Sequence, residues 1–160
     1  MDLCTIQRFI SILTVLRNEM SSILEGAAMQ EIDTAKVLLQ NAGHNVIQIR
    51  QGLTHLEVAR SLAHKDSYDT DAFDFLLVRY CDRRRRYSKL CYLIAKLHYD
   101  LGDDYSVVLD AAERCATFVD IPYEFSNILT QSDYESLVHR DDWIREADHE
   151  LAEDIATRYY

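Results

Sequence analysis

Apolar side chains recur at alternating three- and four-residue spacing between Phe73 and Leu101, and the pattern is broken once, at Arg83. The repeating positions are Phe73, Leu76, Tyr80, Tyr87, Leu90, Ile94, Leu97 and Leu101. A stripe of this kind is typical of a long helix that packs along other helices. The pattern therefore predicts a long amphipathic helix that ends at Leu101 and the following Gly102.

The same spacing recurs near the N-terminus and predicts a second long helix over residues 3–25. Its stripe runs through Ile6, Phe9, Leu13, Leu16, Met20, Ile23 and Ala27. The first half of this helix is also apolar outside the stripe, at Leu3, Cys4, Ile10, Ile12 and Val15. A helix that is apolar on nearly every face belongs in the centre of a bundle or in an interface between chains.

Shorter helices are predicted between these two long ones. Residues 29–42 carry a further apolar stripe, and Gly43 is a suitable C-terminal stop for that helix. Residues 46–53 fit either a strand or a helix, and we favour a helix because no partner strand is evident in the sequence. Thr54 and Glu57 have the spacing of a capping box, which predicts that a short helix begins there.

The C-terminal part also reads as helical. Residues 65–70 are polar and are predicted to form the loop before the long helix. The next predicted helix begins at Asp103 or Asp104 and buries Val108, Ala111, Ala112, Cys115 and Val119. Pro122 interrupts that pattern, and a short helix over residues 123–129 follows. Ser132 and Glu135 form a second capping-box pattern at the start of the last helix.

Chain length and composition agree with a single helical domain. The chain has 160 residues, enough to bury a core without disulfide or metal staples. It contains 4 Gly and 1 Pro, which disfavours β-sandwiches and barrels because those folds need many tight turns. The sequence therefore predicts an all-α fold over residues 1–160. We expect a single-domain helical bundle of about five or six helices, in which the two long amphipathic helices pack antiparallel.

The cysteines and the longest apolar run indicate the compartment. The 4 cysteines form no C-x-x-C pair and lie in or beside apolar stretches, so we expect buried, reduced thiols rather than a zinc site. A cytoplasmic location, or another reducing compartment such as the nucleus, follows as an expectation. The run from Phe9 to Leu16 is far shorter than the roughly 20 residues of a membrane span, so we predict neither a secretory signal nor a membrane helix.

Charge is distributed unevenly along the chain. The net charge is −10, yet residues 1–99 carry 13 Lys and Arg against 11 Asp and Glu. Residues 100–160 carry 4 Lys and Arg against 16 Asp and Glu, a net charge of −12. This acidic part is expected to repel nucleic acid and membrane headgroups and to attract basic protein surfaces. The alternative interpretation is that the acidic side chains only keep a helical surface soluble.

Two clusters are candidates for chemistry. The first is a column at helical spacing on the predicted last helix, formed by His139, Asp142, Glu146, His149 and Glu153. Glu146 and His149 have the E-x-x-H spacing of a di-metal carboxylate site. That site needs a second E-x-x-H, which the chain does not contain, and the column lies opposite the predicted buried stripe. We therefore interpret the column as a solvated face and predict no metal site.

The second cluster is the unbroken run from Arg83 to Arg86, which has tyrosines on either side. Arginines interleaved with aromatic rings can bind nucleic acid. One helical turn offers few phosphate contacts, however, and the rest of the chain repels phosphates. We instead expect these arginines to pair with the acidic C-terminal region, in the same chain or in a partner.

No motif in the chain predicts catalysis. There is no glycine-rich phosphate loop and no G-x-S-x-G, and no cysteine has the context of a nucleophile. The sequence predicts a non-enzymatic, acidic helical interaction module without a cofactor, such as an adaptor, regulator or assembly subunit. Its expected partner is a protein with a basic surface or a second copy of the chain. The candidate partner-binding residues are Arg83, Arg84, Arg85, Arg86, Asp141, Asp142, Trp143, Glu146, Glu150, Glu153 and Asp154.

Two alternatives stay open. One is an acidic mimic of nucleic acid that occupies the basic groove of a nucleic-acid-binding protein, as small viral inhibitors of defence systems do. It requires carboxylates spaced like phosphates over an extended face. The other alternative is a di-metal carboxylate enzyme built on a helical bundle, with Glu146 among its ligands.

Overall fold

The computed structural model describes residues 3–20, 26–68, 78–114 and 121–139, together with residues 153 and 157. All regular secondary structure in this part of the chain is helical, which confirms the predicted fold class. The elements are α1 (Leu3–Glu19), α2 (Gly26–Ala42), α3 (Val46–Tyr68), α4 (Val78–Asp100), α5 (Tyr105–Glu113), a 3₁₀ helix (Tyr123–Asn127) and α6 (residues 131–139).

Helices α1 to α4 form an antiparallel four-helix arrangement. Each packs on the next in the chain, and α4 packs back on α1. Contacts between α2 and α3 show the direction: Gln48 Nε2 donates to Leu38 O at 3.0 Å, and His55 lies 2.6 Å from Glu31. Residues later in α3 thus meet residues earlier in α2. Three such reversals leave α1 and α4 antiparallel, as predicted for the two amphipathic helices.

The core lies inside this arrangement and follows the predicted stripe of α4. Tyr87, Leu90, Ile94 and Leu97 are all buried, whereas Phe73 and Leu76 lie outside the described residues. The largest fully buried side chains are Phe125, Leu13, Ile32, Leu39, Ile49, Leu56, Leu90, Leu93, Ile94, Leu97 and Leu137. They come from both long helices, from the helices between them and from the C-terminal elements, so one continuous core joins the described parts of the chain.

Helix α3 is one continuous element, so the predicted division of this region is wrong. Residues 46–68 form a single helix of 23 residues, so neither a helix start at Thr54 nor a loop over residues 65–68 is present. Thr54 Oγ1 donates to Arg50 O at 3.0 Å, which is the bond a threonine makes inside a helix. The actual cap is Asn45, whose Oδ1 accepts from Gln48 N at 3.3 Å.

Helix α1 also differs from its prediction, because it ends at Glu19 rather than near residue 25. Residues 21–25 lie outside the described part of the chain. Cys91 is buried as expected, but Cys4 is exposed, since it lies in the first turn of α1 on a face that no described residue covers. The side chains of Cys81 and Cys115 lie outside the described residues.

The C-terminal elements form a second layer on the outer side of α4. Helix α4 is followed by Gly102, whose φ of +78° allows the tight turn into α5. Phe125 of the 3₁₀ helix is fully buried and meets the Tyr92 ring edge-to-face, with 5.2 Å between ring centroids. The cap of α6 is Thr130, whose Oγ1 accepts from Asp133 N at 3.2 Å, so the start predicted at Ser132 was two residues late.

In the described residues, no helix combines the length and apolar character that crossing a membrane requires.

Candidate binding groove

A groove of about 710 Å³ opens where α1, α4 and the start of the 3₁₀ helix meet. Its lining residues are Ile12, Val15, Leu16, Lys89, Tyr92, Leu93, Ile121, Pro122, Tyr123 and Glu124. The volume falls in the range of about 300–1,000 Å³ that is usual for ligand pockets. Most of the described lining residues are apolar, and their polar side-chain groups are one ammonium, one carboxylate and two phenols.

Helix α1 forms one wall of the groove and exposes apolar side chains there. Ile12, Val15 and Leu16 lie on one face because they are three and four residues apart. Leu16 is buried, but Ile12 is 46% exposed and Val15 is 58% exposed. These two belong to the apolar positions outside the predicted stripe. Helix α1 was expected in the centre of the bundle or in an interface between chains. The central position is wrong, because α1 is one of the four helices that enclose the core and it exposes Ile12 and Val15 on its outer side. The interface between chains stays a prediction.

Helix α4 supplies the floor and one charged side chain. Leu93 is buried, and the half-buried Tyr92 leans on Phe125 in the layer behind it. The pKa of Tyr92 is raised, first by burial of the phenol and then by the nearby carboxylates of Glu124 and Asp100. Tyr92 therefore remains a neutral phenol at physiological pH, so its ring serves as a packing surface with a hydrogen-bonding tip.

The third wall is held in place by the buried Phe125. Pro122 precedes the 3₁₀ helix, and its carbonyl oxygen accepts from Phe125 N at 3.2 Å. The ring of proline fixes φ, so this wall loses little conformational entropy when the groove is filled. Tyr123 is 71% exposed and projects at the edge of the groove.

Charges at the groove are unbalanced. Lys89 lies 3.6 Å from Glu19 at the end of α1, so its ammonium already has a carboxylate beside it. Glu124 forms neither a hydrogen bond nor an ion pair with any other residue that the structure describes. The groove thus carries one carboxylate whose charge no described cation neutralises.

Of the predicted partner-binding residues, only Arg86 and Glu153 have described side chains, and neither is among the described residues that line this groove. Arg83, Arg84 and Arg85 belong to α4, but their side chains lie outside the described residues, whereas Arg86 is half-buried in the same helix. Glu153 is exposed, and its carbonyl oxygen accepts from Thr157 Oγ1 at 2.9 Å. The predicted residues outside the described part of the chain are Asp141, Asp142, Trp143, Glu146, Glu150 and Asp154. Ile12 and Val15, the apolar residues of α1 outside the predicted stripe, were the sequence signal that could have located the groove.

Two described cations outside the arginine run join the basic-neutral part of the chain, residues 1–99, to the acidic part, residues 100–160. Arg50 of α3 pairs with Asp103 at 2.7 Å, and Lys96 pairs with Asp100 at 2.6 Å. Pairing of Arg83 to Arg86 with acidic residues stays a prediction. Asp103 and Asp100 both lie close to the predicted boundary between the two parts of the chain.

A polar cluster lies at the C-terminal end of α4, outside the groove. His98 Nδ1 is 2.7 Å from Asp103, and His98 Nε2 is 3.4 Å from Glu57. Hydrogen bonds from Arg50 and His98 lower the pKa of Asp103 to about 2. The cluster joins Arg50 and Glu57 of α3 to His98 and Asp103 at the end of α4. Each of these side chains has a partner within the cluster, so we assign the cluster a structural role.

Within the described residues, no group of three or more His, Cys, Asp or Glu side chains is arranged to hold a metal ion. His139, the first member of the predicted acidic column, is exposed on α6. The groove can bury apolar groups and pair with a cation at Glu124. Comparison with protein-family models, with curated proteins and with solved structures finds no match to this chain.

Proposed function

We propose that this chain is a non-enzymatic interaction module, an adaptor, regulator or assembly subunit, that binds a protein partner at the groove between α1 and α4. The observation that carries the proposal is the exposure of Ile12 and Val15 beside a preformed, mostly apolar groove. Contiguous exposed apolar surface of this kind is typical of protein interfaces. Exposed tyrosine at the rim, here Tyr123, is also typical of interface anchors.

The groove is favoured over the acidic surface as the binding site. A nucleic-acid mimic needs carboxylates that are free to face a basic groove. Several described carboxylates of the acidic part are instead used inside the chain, namely those of Asp100, Asp103 and Asp133. The acidic charge then contributes by attracting basic partners and increasing the rate of encounter.

The test compares two valines of nearly equal exposure on different helices. Val15 is 58% exposed in the groove, and Val37 is 55% exposed on α2. Both V15E and V37E are expected to fold, since substitutions at exposed sites usually change stability by less than about 0.5 kcal/mol. Each tagged variant is used to capture proteins from extracts of the source cells at low and moderate salt, followed by quantitative mass spectrometry.

We expect at least one protein to be retained by the wild type and by V37E but reduced by about tenfold with V15E, because a buried carboxylate in the interface loses its hydration. The purified pair must then reproduce this difference. Equal retention of every protein by V15E contradicts the proposal. So does a wild-type protein that retains nothing and stays monomeric.

A further inference from the structure

We infer that the groove takes an amphipathic α-helix of a different protein, with lysine or arginine beside its apolar face. The inference rests on the proposed function and identifies the partner's binding element. It is drawn from three features of the groove: the shape of its walls, the state of its backbone and its unbalanced charge.

The walls suit an apolar helix face. Two of them are helices that run antiparallel, and the third is the rigid segment at Pro122. The valley between two packed helices accepts the side-chain ridge of a third, with anchors three, four and seven residues apart. Buried Leu16 and Leu93 form the floor, while Ile12 and Val15 stand along the open side.

The helical walls of the groove disfavour pairing with an extended strand. Residues of α1 and α4 use their N–H and C=O groups in their own helices. An extended peptide would leave its own backbone groups unpaired against these apolar walls, which is costly. A helix satisfies its backbone internally, so it can be buried there without that cost.

The charge selects a basic helix. Glu19 lies beside Lys89, so among the described lining residues the charge left without an opposite charge beside it is the carboxylate of Glu124. The half-buried side chain of Glu124 lies close enough to Tyr92 to affect its titration, which places the negative charge at the groove itself. A lysine or arginine on the occupant would neutralise this carboxylate.

A second copy of the chain fits less well as the occupant. Each copy carries a net charge of −10, so two copies repel each other before contact. A foreign basic helix is attracted by the same field. Sedimentation distinguishes the two occupants, because a second copy in the groove doubles the mass of the protein in solution.

The experiment is a selection from a displayed library of random peptides of about 16 residues, long enough for about four helical turns. The full-length wild-type protein is the target. We expect enriched peptides to carry apolar residues at three- and four-residue spacing and a net positive charge. Their synthetic copies should gain helical circular dichroism when they bind.

Variants then locate the site. The Kd of a selected peptide should rise by about tenfold or more with V15E and stay unchanged with V37E. With E124Q the Kd should rise by about two- to fivefold at low salt, and the difference should shrink at high salt. Sedimentation at high protein concentration should show a monomer.

Enrichment of neutral or acidic peptides, or an unchanged Kd with E124Q, overturns the charge assignment. Failure to enrich any helical peptide overturns the inferred binding element, as does a dimer that V15E dissociates. The proposed function fails separately, when capture of partner proteins does not depend on Val15. The two results therefore distinguish a wrong binding element from a wrong function.

Discussion

Asp103 accepts two hydrogen bonds from the guanidinium of Arg50, at 2.7 Å and 3.2 Å, and this pair joins the turn after α4 to α3. The Nδ1–H of His98 donates to the same carboxylate at 2.7 Å. The three side chains fix the end of α4, from which α5 and the C-terminal layer continue. This joint connects the acidic part of the chain to the basic-neutral part.

We predict that D103N lowers the free energy of unfolding by about 1–2 kcal/mol at pH 7, because the charged pair with Arg50 is lost. The loss is no larger because the Arg50 side chain is half-exposed and solvent screens the pair. The pKa of Asp103 is lowered from 3.8 to about 2. Its contribution is therefore present above pH 3.8 and is lost as the pH falls through 3.8 to about 2. Urea unfolding at several pH values measures the difference between variant and wild type.

The control for D103N is D104N. Asp104 is the adjacent residue, and its side chain forms no hydrogen bond at the start of α5. We expect D104N to change stability by less than about 0.5 kcal/mol. A pH-independent difference between D103N and the wild type would contradict the role given to the Arg50 pair.

Tyr105 connects α5 to the first turn of α6. Its hydroxyl oxygen accepts from Thr130 N at 3.1 Å and its hydroxyl donates to Asp133. The hydrogen bond from Tyr105, followed by that from Thr130, lowers the pKa of Asp133. We predict that Y105F raises the pKa of Asp133 toward its ordinary value. NMR titration of the Asp133 carboxyl carbon measures this change.

The control is Y123F, which removes an exposed hydroxyl elsewhere and should leave the titration of Asp133 unchanged. An equal shift in both variants would contradict the assignment.

Gly52 of α3 packs directly against Leu39 of α2. A Cβ atom built at Gly52 would lie 3.1 Å from Leu39 Cγ, and Leu39 is buried. We predict that G52L lowers the free energy of unfolding by about 1–3 kcal/mol through overpacking. Q51L adds the same side chain at the adjacent exposed position and should change stability by less than about 0.5 kcal/mol. Thermal and urea unfolding test both, and equal stability of the two variants would show that the helices can separate at little cost.

Phe125 anchors the C-terminal layer on α4. We predict that F125A lowers the free energy of unfolding by about 3–5 kcal/mol, since Phe125 is fully buried and the cavity left behind cannot collapse completely. Hydrogen exchange should accelerate most in α5, in the 3₁₀ helix and in α6. Y123A, at a 71% exposed position two residues earlier, should leave both stability and exchange unchanged. Uniform acceleration across α1 to α4 in F125A would mean that the layer does not open as a unit.

Apolar spacing along the chain was enough to predict most of the helices and their buried stripes. Apolar spacing along a helix is a local property, so Leu90, Ile94 and Leu97 could be assigned to the core of α4 before any neighbour was known. Helix ends were harder, because the Thr54 and Glu57 pattern that signals a cap is equally compatible with a helix interior. There Thr54 bonds to a carbonyl four residues earlier, as it does in α3.

Which apolar residues remain exposed depends on how the helices pack against one another. Ile12 and Val15 are as apolar as Leu13 and Leu16 but lie outside the predicted stripe, and spacing alone does not say whether another element covers them. In the structure, α2 and α4 cover one side of α1 and leave the other open. The groove combines those residues with Leu93 and Pro122, which are distant in sequence, so its existence depends on how the helices pack. Ion pairs such as Arg50–Asp103 also depend on packing. The sequence gives the number of charged side chains, but the packing of the helices brings particular cations and carboxylates together.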